Sequence, residues 1–126
     1  MNRKQVEKLI PDAIKIIDKK LVKDGVVARE YNGYISSFGA SIIQSGLLPT
    51  VAFYESSTSN SEEDRRKLTE SILCLINKSQ QEENKKLLDY VLKNRESQEN
   101  IKEDIINAAI AIKLSLRTFK LKDKTN

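Results

Sequence analysis

The sequence has 126 residues, of which 32% are charged and 39% hydrophobic, and its formal net charge is +4. This length fits one domain of about 100–150 residues, and four Gly and two Pro are too few for the many hairpins of a sandwich or barrel. The chain contains no His and a single Cys, Cys74; this excludes catalytic triads, histidine-ligated metals, disulfides and cysteine zinc clusters, so we predict no enzyme, no cofactor and no metal site.

The first 21 residues are predicted to form a helix, because apolar residues recur at every third or fourth position. These residues are Val6, Ile10, Ile14, Ile17 and Leu21. Pro11 interrupts the stripe and either occupies an early helical position or introduces a kink. Asp24-Gly25 is the first clear stop signal, so the helix is expected to end before it.

The segment from Tyr31 to Tyr54 contains no charged residue, and its glycines, serines and Pro49 exclude a membrane span. One face of the helix predicted here is apolar and consists of Tyr31, Ile35, Phe38 and Ile42. The opposite face, half a turn away, consists of Gly33, Ser37, Ala40 and Gln44. A helix without charge on either face is expected to be covered on both faces, with the small residues allowing a neighbouring backbone to approach closely.

The same segment contains the signals of a helix boundary. Gly46 is a natural residue to follow a helix C-terminus, and Pro49 suits the start of a short helix that continues through residues 50–54. The β-branched and aromatic residues of 50–54 also suit a strand, but we favour the helix.

Three further helices are predicted in the second half of the chain, after a polar loop at residues 55–61. Their apolar residues, at helical spacing, are Leu68, Ile72, Leu75 and Ile76, then Leu87, Leu88, Val91 and Leu92, and finally Ile101, Ile105, Ala108, Ile112, Leu116 and Phe119. Capping residues are predicted at Ser61 with Asp64 or Ser59 with Glu62, at Ser79 with Glu82, and at Ser97.

The sequence as a whole therefore predicts an all-α fold. We expect a compact bundle of five to six helices in a single domain over residues 1–126, because there is no internal repeat and no long linker. The polar residues at 120–126 are expected to form a frayed tail.

Adjacent carboxylates occur at three places and raise the question of acid–base chemistry. They are Glu62-Glu63-Asp64, Glu82-Glu83 and Glu103-Asp104. Each is assigned to the first turn of a predicted helix, where acidic side chains complement the helix dipole, so capping is the preferred interpretation. Cys74 lies in an apolar run without a neighbouring cation and is predicted to be a buried small hydrophobe rather than a reactive thiol.

Aromatic residues are concentrated in the uncharged segment and suggest a platform for stacking nucleobases. They are Tyr31, Tyr34, Phe38, Phe53 and Tyr54. Such platforms are interleaved with Lys and Arg, and this segment has neither. The aromatic residues are therefore predicted to belong to the core or to a subunit interface.

The excess positive charge is concentrated at the two ends of the sequence. The first 30 residues carry eight basic and five acidic residues, and the last 26 carry six and three. At helical spacing the basic residues form two stripes that are candidates for contact with RNA phosphates. One consists of Lys4, Lys8, Lys15 and Lys19, and the other of Lys113, Arg117, Lys120 and Lys124. A solvated surface is the alternative for both stripes.

The cellular location is predicted from the absence of targeting signals. The first residues are charged where a secretory signal has its apolar core, and no apolar run approaches the ~20 residues of a membrane span. We expect a cytoplasmic protein without membrane contact. The residues alone thus indicate a non-catalytic helical domain with a basic bias and do not identify its function.

Residues 34–54 carry a more specific indication of the protein family. This stretch resembles the signature of the small all-helical subunit of the type III-B CRISPR effector, the fifth subunit of the Cmr complex. The matching positions are Tyr34, Ile42, Gly46, Leu47, Ala52 and Phe53. The order of the predicted helices also agrees over almost the whole chain.

The resemblance implies a helical bundle that acts in antiviral defence, stacks as copies in the minor filament of the effector beside the crRNA–target duplex, and is not a nuclease. The expected partners are the other Cmr-complex subunits, crRNA and target RNA, and further copies of the chain. Packing or interface roles are expected for Tyr34, Phe38, Ile42, Gly46, Leu47, Ala52 and Phe53. RNA contact through the basic stripes is a separate prediction, and the alternative function is a helical protein–protein adaptor or small regulator without RNA contact.

Overall fold

The structure is a computed structural model that describes residues 2–56, 65–77 and 86–122. Within these ranges the chain forms six α-helices, a short 3₁₀ helix and one two-stranded hairpin, which confirms the predicted all-α bundle. The elements are α1 (Arg3–Lys20), β1 (Val22–Lys23), β2 (Val26–Val27), α2 (Arg29–Ser45), α3 (Leu47–Glu55), α4 (Arg65–Ile76), α5 (Leu87–Lys93), the 3₁₀ helix (Arg95–Ser97) and α6 (Gln98–Leu116).

Several features predicted from the sequence lie outside the described residues. They are the caps at Ser61 or Ser59 and at Ser79 with Glu82, the acidic groups Glu62-Glu63-Asp64 and Glu82-Glu83, and Lys124.

Helix α6 lies at the centre of the bundle, where it packs against α1, α2 and α4. Helix α3 contacts α2, α4 and α5. The predicted apolar stripes supply the fully buried side chains, among them Ile17, Phe38, Ile42, Leu68, Ile72, Ile105, Ile112 and Leu116. Burial of these side chains is the main favourable term in the folding of the domain.

Helix α1 begins and ends close to the predicted residues. The side chain of Asn2 caps the helix by accepting a hydrogen bond from the Gln5 N–H (3.3 Å). The helix continues through Pro11, which lies in its interior and is exposed, and ends at Lys20. The stop is therefore located upstream of Asp24-Gly25, as expected.

A hairpin that we did not predict follows α1. Strands β1 and β2 pair antiparallel, with Val22 opposite Val27. Asp24 and Gly25 form the turn, with φ values of 55° and 81°. Positive φ at both central residues is the requirement of a type I′ turn, and Asp-Gly is among the preferred dipeptides for it. The signal was thus present in the sequence, where it was interpreted only as a helix stop.

Residues 120–122, expected to belong to a frayed tail, are instead bonded to the hairpin. The N–H of Val27 donates to the carbonyl oxygen of Lys120 (2.9 Å), and the N–H of Lys122 donates to the carbonyl oxygen of Val27 (2.7 Å). Arg29 Nε donates to the carbonyl oxygen of Lys122 (2.6 Å). The edge of a two-stranded hairpin has unpaired backbone groups, and this segment satisfies some of them.

The predicted boundary between α2 and α3 is confirmed. Gly46 has a φ of 96°, and its N–H donates to the carbonyl oxygen of Ile42 (2.9 Å). Pro49 lies in the first turn of α3, and residues 50–54 are helical rather than extended. At the start of α6, Ser97 occupies the predicted N-cap position, but its side chain makes no capping hydrogen bond.

Candidate nucleic-acid interface

The two faces of α2 differ in burial, although neither carries charge. Tyr31, Ile35, Phe38 and Ile42 are buried, as predicted. The neutral face of α2, which consists of Gly33, Ser37, Ala40 and Gln44, is exposed, and the nearby Ile43 is 80% exposed. The prediction that both faces are covered is therefore wrong for the described residues of this chain, because the neighbouring helices pack on one side of α2 only.

A cleft of ≈ 410 Å³ lies between α2 and the end of α6. Lys113 on α6 and Arg117 directly after it line one side, and Asn32 and Ser36 line the other from α2. The apolar residues that line it are Leu116, Phe119 and Leu121. The cleft therefore combines two cations with two neutral hydrogen-bonding side chains, and no described carboxylate lines it.

The predicted C-terminal basic stripe is only partly brought together. Helix α6 ends at Leu116, and the chain then turns through hydrogen bonds from the N–H groups of Thr118 and Phe119 to the carbonyl oxygens three residues earlier. Lys120 is exposed but lies outside the cleft. The predicted stripe placed Lys120 on the same helical face as Lys113 and Arg117. This prediction is wrong for Lys120, because α6 ends at Leu116 and does not reach it.

The N-terminal basic stripe lies on the exposed face of α1. Lys8, Lys15 and Lys19 are all exposed. They stand about half a turn from the buried residues Val6, Ala13 and Ile17, so they project away from the core. This stripe is a basic surface separate from the cleft between α2 and α6.

The segment that contains the aromatic residues has no Lys or Arg of its own, but tertiary packing places a cation from another helix beside it. The guanidinium carbon of Arg65, at the start of α4, lies 4.6 Å from the ring centroid of Tyr34 and 5.5 Å from that of Phe53. Tyr31, Phe38 and Tyr54 are buried in the core, whereas Phe53 is 61% exposed.

Buried Tyr54 connects α3 to α2. Its hydroxyl donates to the carbonyl oxygen of Tyr34 (2.7 Å), and its ring meets the ring of Phe38 edge-to-face at a centroid distance of 5.1 Å. Burial raises the pKa of the Tyr54 hydroxyl, and the positive charge of Arg65 opposes this shift. The phenol therefore stays protonated as a hydrogen-bond donor at neutral pH.

The residues expected in packing or in an interface divide into three groups. Phe38, Ile42 and Leu47 are buried, Tyr34, Gly46 and Ala52 are half-buried, and Phe53 is exposed. The structure thus places the first group in the core of this chain, whereas the ring of Phe53 lies at its surface.

Cys74 is exposed, so the prediction of a buried cysteine is wrong. Helix α4 instead buries two hydroxyl residues, Thr69 and Ser71. Their hydroxyl groups are satisfied locally, because they donate to the carbonyl oxygens of Arg66 (3.0 Å) and Lys67 (2.7 Å). Local hydrogen bonds allow these polar residues on the buried face, whereas Cys74 lies on the outer face of the helix, away from the buried Leu68, Ile72 and Leu75.

The described carboxylates show no grouping suited to holding a metal ion. No group of three His, Cys, Asp or Glu residues that would hold a metal occurs in the described ranges. Glu103 and Asp104 are exposed and lie in the second turn of α6, which begins at Gln98, rather than in the first turn as expected.

Glu55, at the end of α3, has a structural role. Both of its carboxylate oxygens accept a hydrogen bond from the Leu88 N–H (3.3 and 3.2 Å), in the first turn of α5. Burial raises the pKa of Glu55 above its ordinary value of 4.5, and hydrogen bonds from the backbone of Leu88 and Leu87 oppose the shift. Glu55 therefore caps α5, whose own N-cap residue provides no side-chain bond.

Substitution of Glu55 tests this cap and its pH dependence. Because the folded-state pKa is raised, the stabilising contribution of Glu55 is full below about pH 4.5 and is lost as pH rises through the folded-state pKa. Glu55→Gln keeps an acceptor oxygen and removes this dependence, so the wild-type chain should lose stability relative to the variant as pH increases. Urea denaturation from about pH 4 to pH 7 measures the difference.

The control is Glu55→Ala, which removes the acceptor and should lower the free energy of unfolding by about 1 kcal/mol. Equal stability of the Gln and Ala variants would show that the hydrogen bond to Leu88 contributes nothing.

The fold and its surfaces define a class of protein: a small helical domain with one uncovered neutral helix face and a separate basic cleft. In the described ranges no helix is long and apolar enough to span a bilayer.

Residues 4–111 match the family model described as CRISPR-associated protein (Cas_Cmr5). The match covers most of the chain, and the chain belongs to this family, which confirms the resemblance seen in the sequence. It is thus a small subunit of the type III-B CRISPR (Cmr) complex that takes part in CRISPR defence with the other Cmr subunits. Comparison with curated proteins and with solved structures gave no match.

Proposed function

We propose that this subunit is non-catalytic, contacts the crRNA–target duplex through its basic side chains, and stacks with copies of itself in the minor filament. The observation that carries the RNA contact is the cleft in which Lys113 and Arg117 face Asn32 and Ser36. Two cations beside neutral donors match the chemistry of a ribose–phosphate backbone, in which anionic phosphates alternate with 2′-hydroxyl groups.

The composition of the cleft supports contact with backbone rather than with base edges. Lys113 and Arg117 neutralise phosphates, and the amide of Asn32 and the hydroxyl of Ser36 bond to ribose or phosphate oxygens without adding charge. In RNA-guided complexes base pairing carries the sequence specificity. A subunit that works with every guide sequence therefore needs contacts to the backbone rather than to particular bases.

The stripe of Lys8, Lys15 and Lys19 is the second candidate for the RNA-facing surface. These side chains are exposed on one face of α1, and a row of cations at helical spacing suits phosphate contact. The cleft is preferred because it also offers neutral hydrogen-bonding groups and a concave shape.

Stacking and contact with other subunits are supported by the neutral face of α2. Gly33, Ser37, Ala40 and Gln44 present no charge, so their burial in an interface requires no desolvation of ions. Ile43, at 80% exposure, offers apolar surface at the same place. A surface of this kind suits a second copy of the chain or a neighbouring Cmr subunit.

The absence of catalysis is supported by the side chains available. The sequence has no His, which removes the commonest general acid–base group. Glu55 is the described carboxylate with a shifted pKa, and its oxygens are engaged by Leu88 at the start of α5. Burial of this capping carboxylate accounts for its raised pKa, so the shift does not require a catalytic setting.

Charge reversal in the assembled Cmr complex tests the RNA contact. Lys113→Glu together with Arg117→Glu should weaken target-RNA binding for every RNA sequence alike, because phosphate contacts carry no base information. The dependence of affinity on salt should flatten by roughly 0.7–0.9 log units of slope per lost contact. The measurement is target-RNA affinity at several salt concentrations, with incorporation of the variant into the complex verified.

The matched control is Lys15→Glu together with Lys19→Glu, which makes the same change in charge on α1. An effect confined to this pair would move the RNA-facing surface to α1. A complex in which neither pair changes the affinity or the salt slope would contradict RNA contact and favour the protein–protein adaptor.

A further inference from the structure

Phe53 is a solvent-exposed aromatic side chain on a helix that otherwise contributes to the core. Its neighbours Val51 and Tyr54 are buried, at 0% and 3% exposure, whereas Phe53 is 61% exposed. The exposed part of the ring adds nothing to the stability of this chain, since apolar surface stabilises only when it is removed from water. Phe53 is therefore available for a ligand.

The surroundings of Phe53 are held in place by the fold. The ring meets the Tyr54 ring edge-to-face at a centroid distance of 5.8 Å and an interplanar angle of 71°. The guanidinium of Arg65 lies over the Tyr34 ring at 4.6 Å and 5.5 Å from the Phe53 centroid, within the ~6 Å range of cation–π interactions. Tyr34 is itself anchored by the hydrogen bond from Tyr54 to its carbonyl oxygen. The cation and the exposed ring are thus positioned before a ligand binds, which lowers the entropic cost of binding.

We propose that Phe53, Arg65 and Tyr34 form a stacking site for an unpaired RNA base. The base lies against the exposed part of the Phe53 ring, and Arg65 donates hydrogen bonds to the adjoining phosphate. This site rests on the proposed RNA contact of the subunit but uses other residues and other chemistry than the basic cleft.

The charges around the site favour a nucleotide over an apolar side chain of a protein. Burying Phe53 under an apolar partner would also desolvate the guanidinium of Arg65 while bringing no anion to it, which is costly. A nucleotide brings a π-face and an anion together, so both Phe53 and Arg65 are satisfied. The uncharged segment from Tyr31 to Tyr54 presents no carboxylate that would repel the RNA backbone.

The test uses the absence of Trp from the sequence. Phe53→Trp keeps an aromatic ring and introduces a unique fluorophore at the site, and a stacked base quenches indole emission. The full-length variant, whose fold is verified by thermal melting, is titrated at low salt with single-stranded oligoadenylate and with an abasic ribose-phosphate oligomer of equal length. We expect quenching by oligoadenylate alone and about tenfold weaker binding of the abasic oligomer, which is the size of one base–aromatic stack.

Two matched variants locate the effect. Ile43→Trp places the fluorophore on another exposed position of the same segment and should show no quenching. In the background of Phe53→Trp, Arg65→Gln should weaken oligoadenylate binding, and Arg65→Lys should restore it only in part, because an ammonium does not reproduce the planar guanidinium.

The possible failures are distinguishable. Equal binding of both oligomers, with unchanged emission of the Phe53→Trp variant, overturns base stacking and leaves the backbone contact in place. Absence of binding by either oligomer, together with cleft variants that leave the affinity of the complex unchanged, overturns both proposals. Unchanged emission with RNA, combined with loss of a Phe53→Ala subunit from the assembled complex, overturns the nucleobase and assigns the site to a protein partner.

Discussion

Replacing Phe38 with alanine is expected to lower the free energy of unfolding by about 3–5 kcal/mol, as is typical of removing a buried phenylalanine. Phe38 is 0% exposed and lies on the buried face of α2. Its ring packs edge-to-face on Tyr54 at 5.1 Å, so the substitution removes an aromatic pair and leaves a cavity. Urea denaturation of the isolated chain measures the change, with an unchanged slope confirming that the native state remains compact.

The control for this prediction lies on the same helix. Ile43→Ala removes a side chain of similar hydrophobicity at a position that is 80% exposed, and its effect should stay within about 0.5 kcal/mol. Similar losses for the two variants would mean that α2 buries both faces in solution, contrary to the structure.

The second large effect is expected at the boundary between α2 and α3, where Gly46→Ala should cost about 1–3 kcal/mol. The φ of 96° and ψ of 163° at Gly46 fall in a region that is essentially accessible to glycine alone. A Cβ there would meet the Pro49 Cδ at 3.6 Å, an ordinary contact, so the loss arises from the backbone and not from a clash.

At a second glycine, Gly33, replacement by alanine is expected to change the stability in the opposite direction. Gly33 is exposed inside α2, and a Cβ at this position meets no heavy atom within 4 Å. Gly33→Ala should therefore stabilise the chain by about 0.5–1 kcal/mol, because alanine is the better helix former. Denaturation of both variants under one condition checks the pair, and an unchanged stability of Gly46→Ala would show that the helix boundary is placed wrongly.

Much of the fold was predictable because it depends on local patterns. Apolar residues at helical spacing identified the buried faces of the helices, including Phe38 and Ile42 on α2. The end of α2 at Gly46 follows from the ability of glycine to adopt positive φ. Of the candidate RNA-contacting residues, the pair Lys113 and Arg117 remained together because both lie on or directly after α6. The type I′ turn at Asp24-Gly25 was also within reach of the sequence, since its dipeptide is a known hairpin signal.

The remaining features of the candidate sites depend on which surfaces meet when the helices pack. Local periodicity assigns a face to each residue, but it does not tell whether another element covers that face. The neutral face of α2 remained exposed, and Cys74 lies on the outer face of α4, opposite the side that packs into the core. Ordering of residues 120–122 required backbone groups of β2, far away in the sequence.

The cleft and the Phe53 site are both products of long-range packing. Asn32 and Ser36 meet Lys113 and Arg117 only because α2 packs against α6. Arg65 reaches the ring of Phe53 only because α4 packs beside α3. The sequence by itself determined the helices, their buried stripes and the cations available at each end of the chain, since these follow from side-chain spacing and backbone preference. The tertiary structure alone decided which of these cations stand beside neutral and aromatic side chains, because that depends on contacts between residues distant in the sequence.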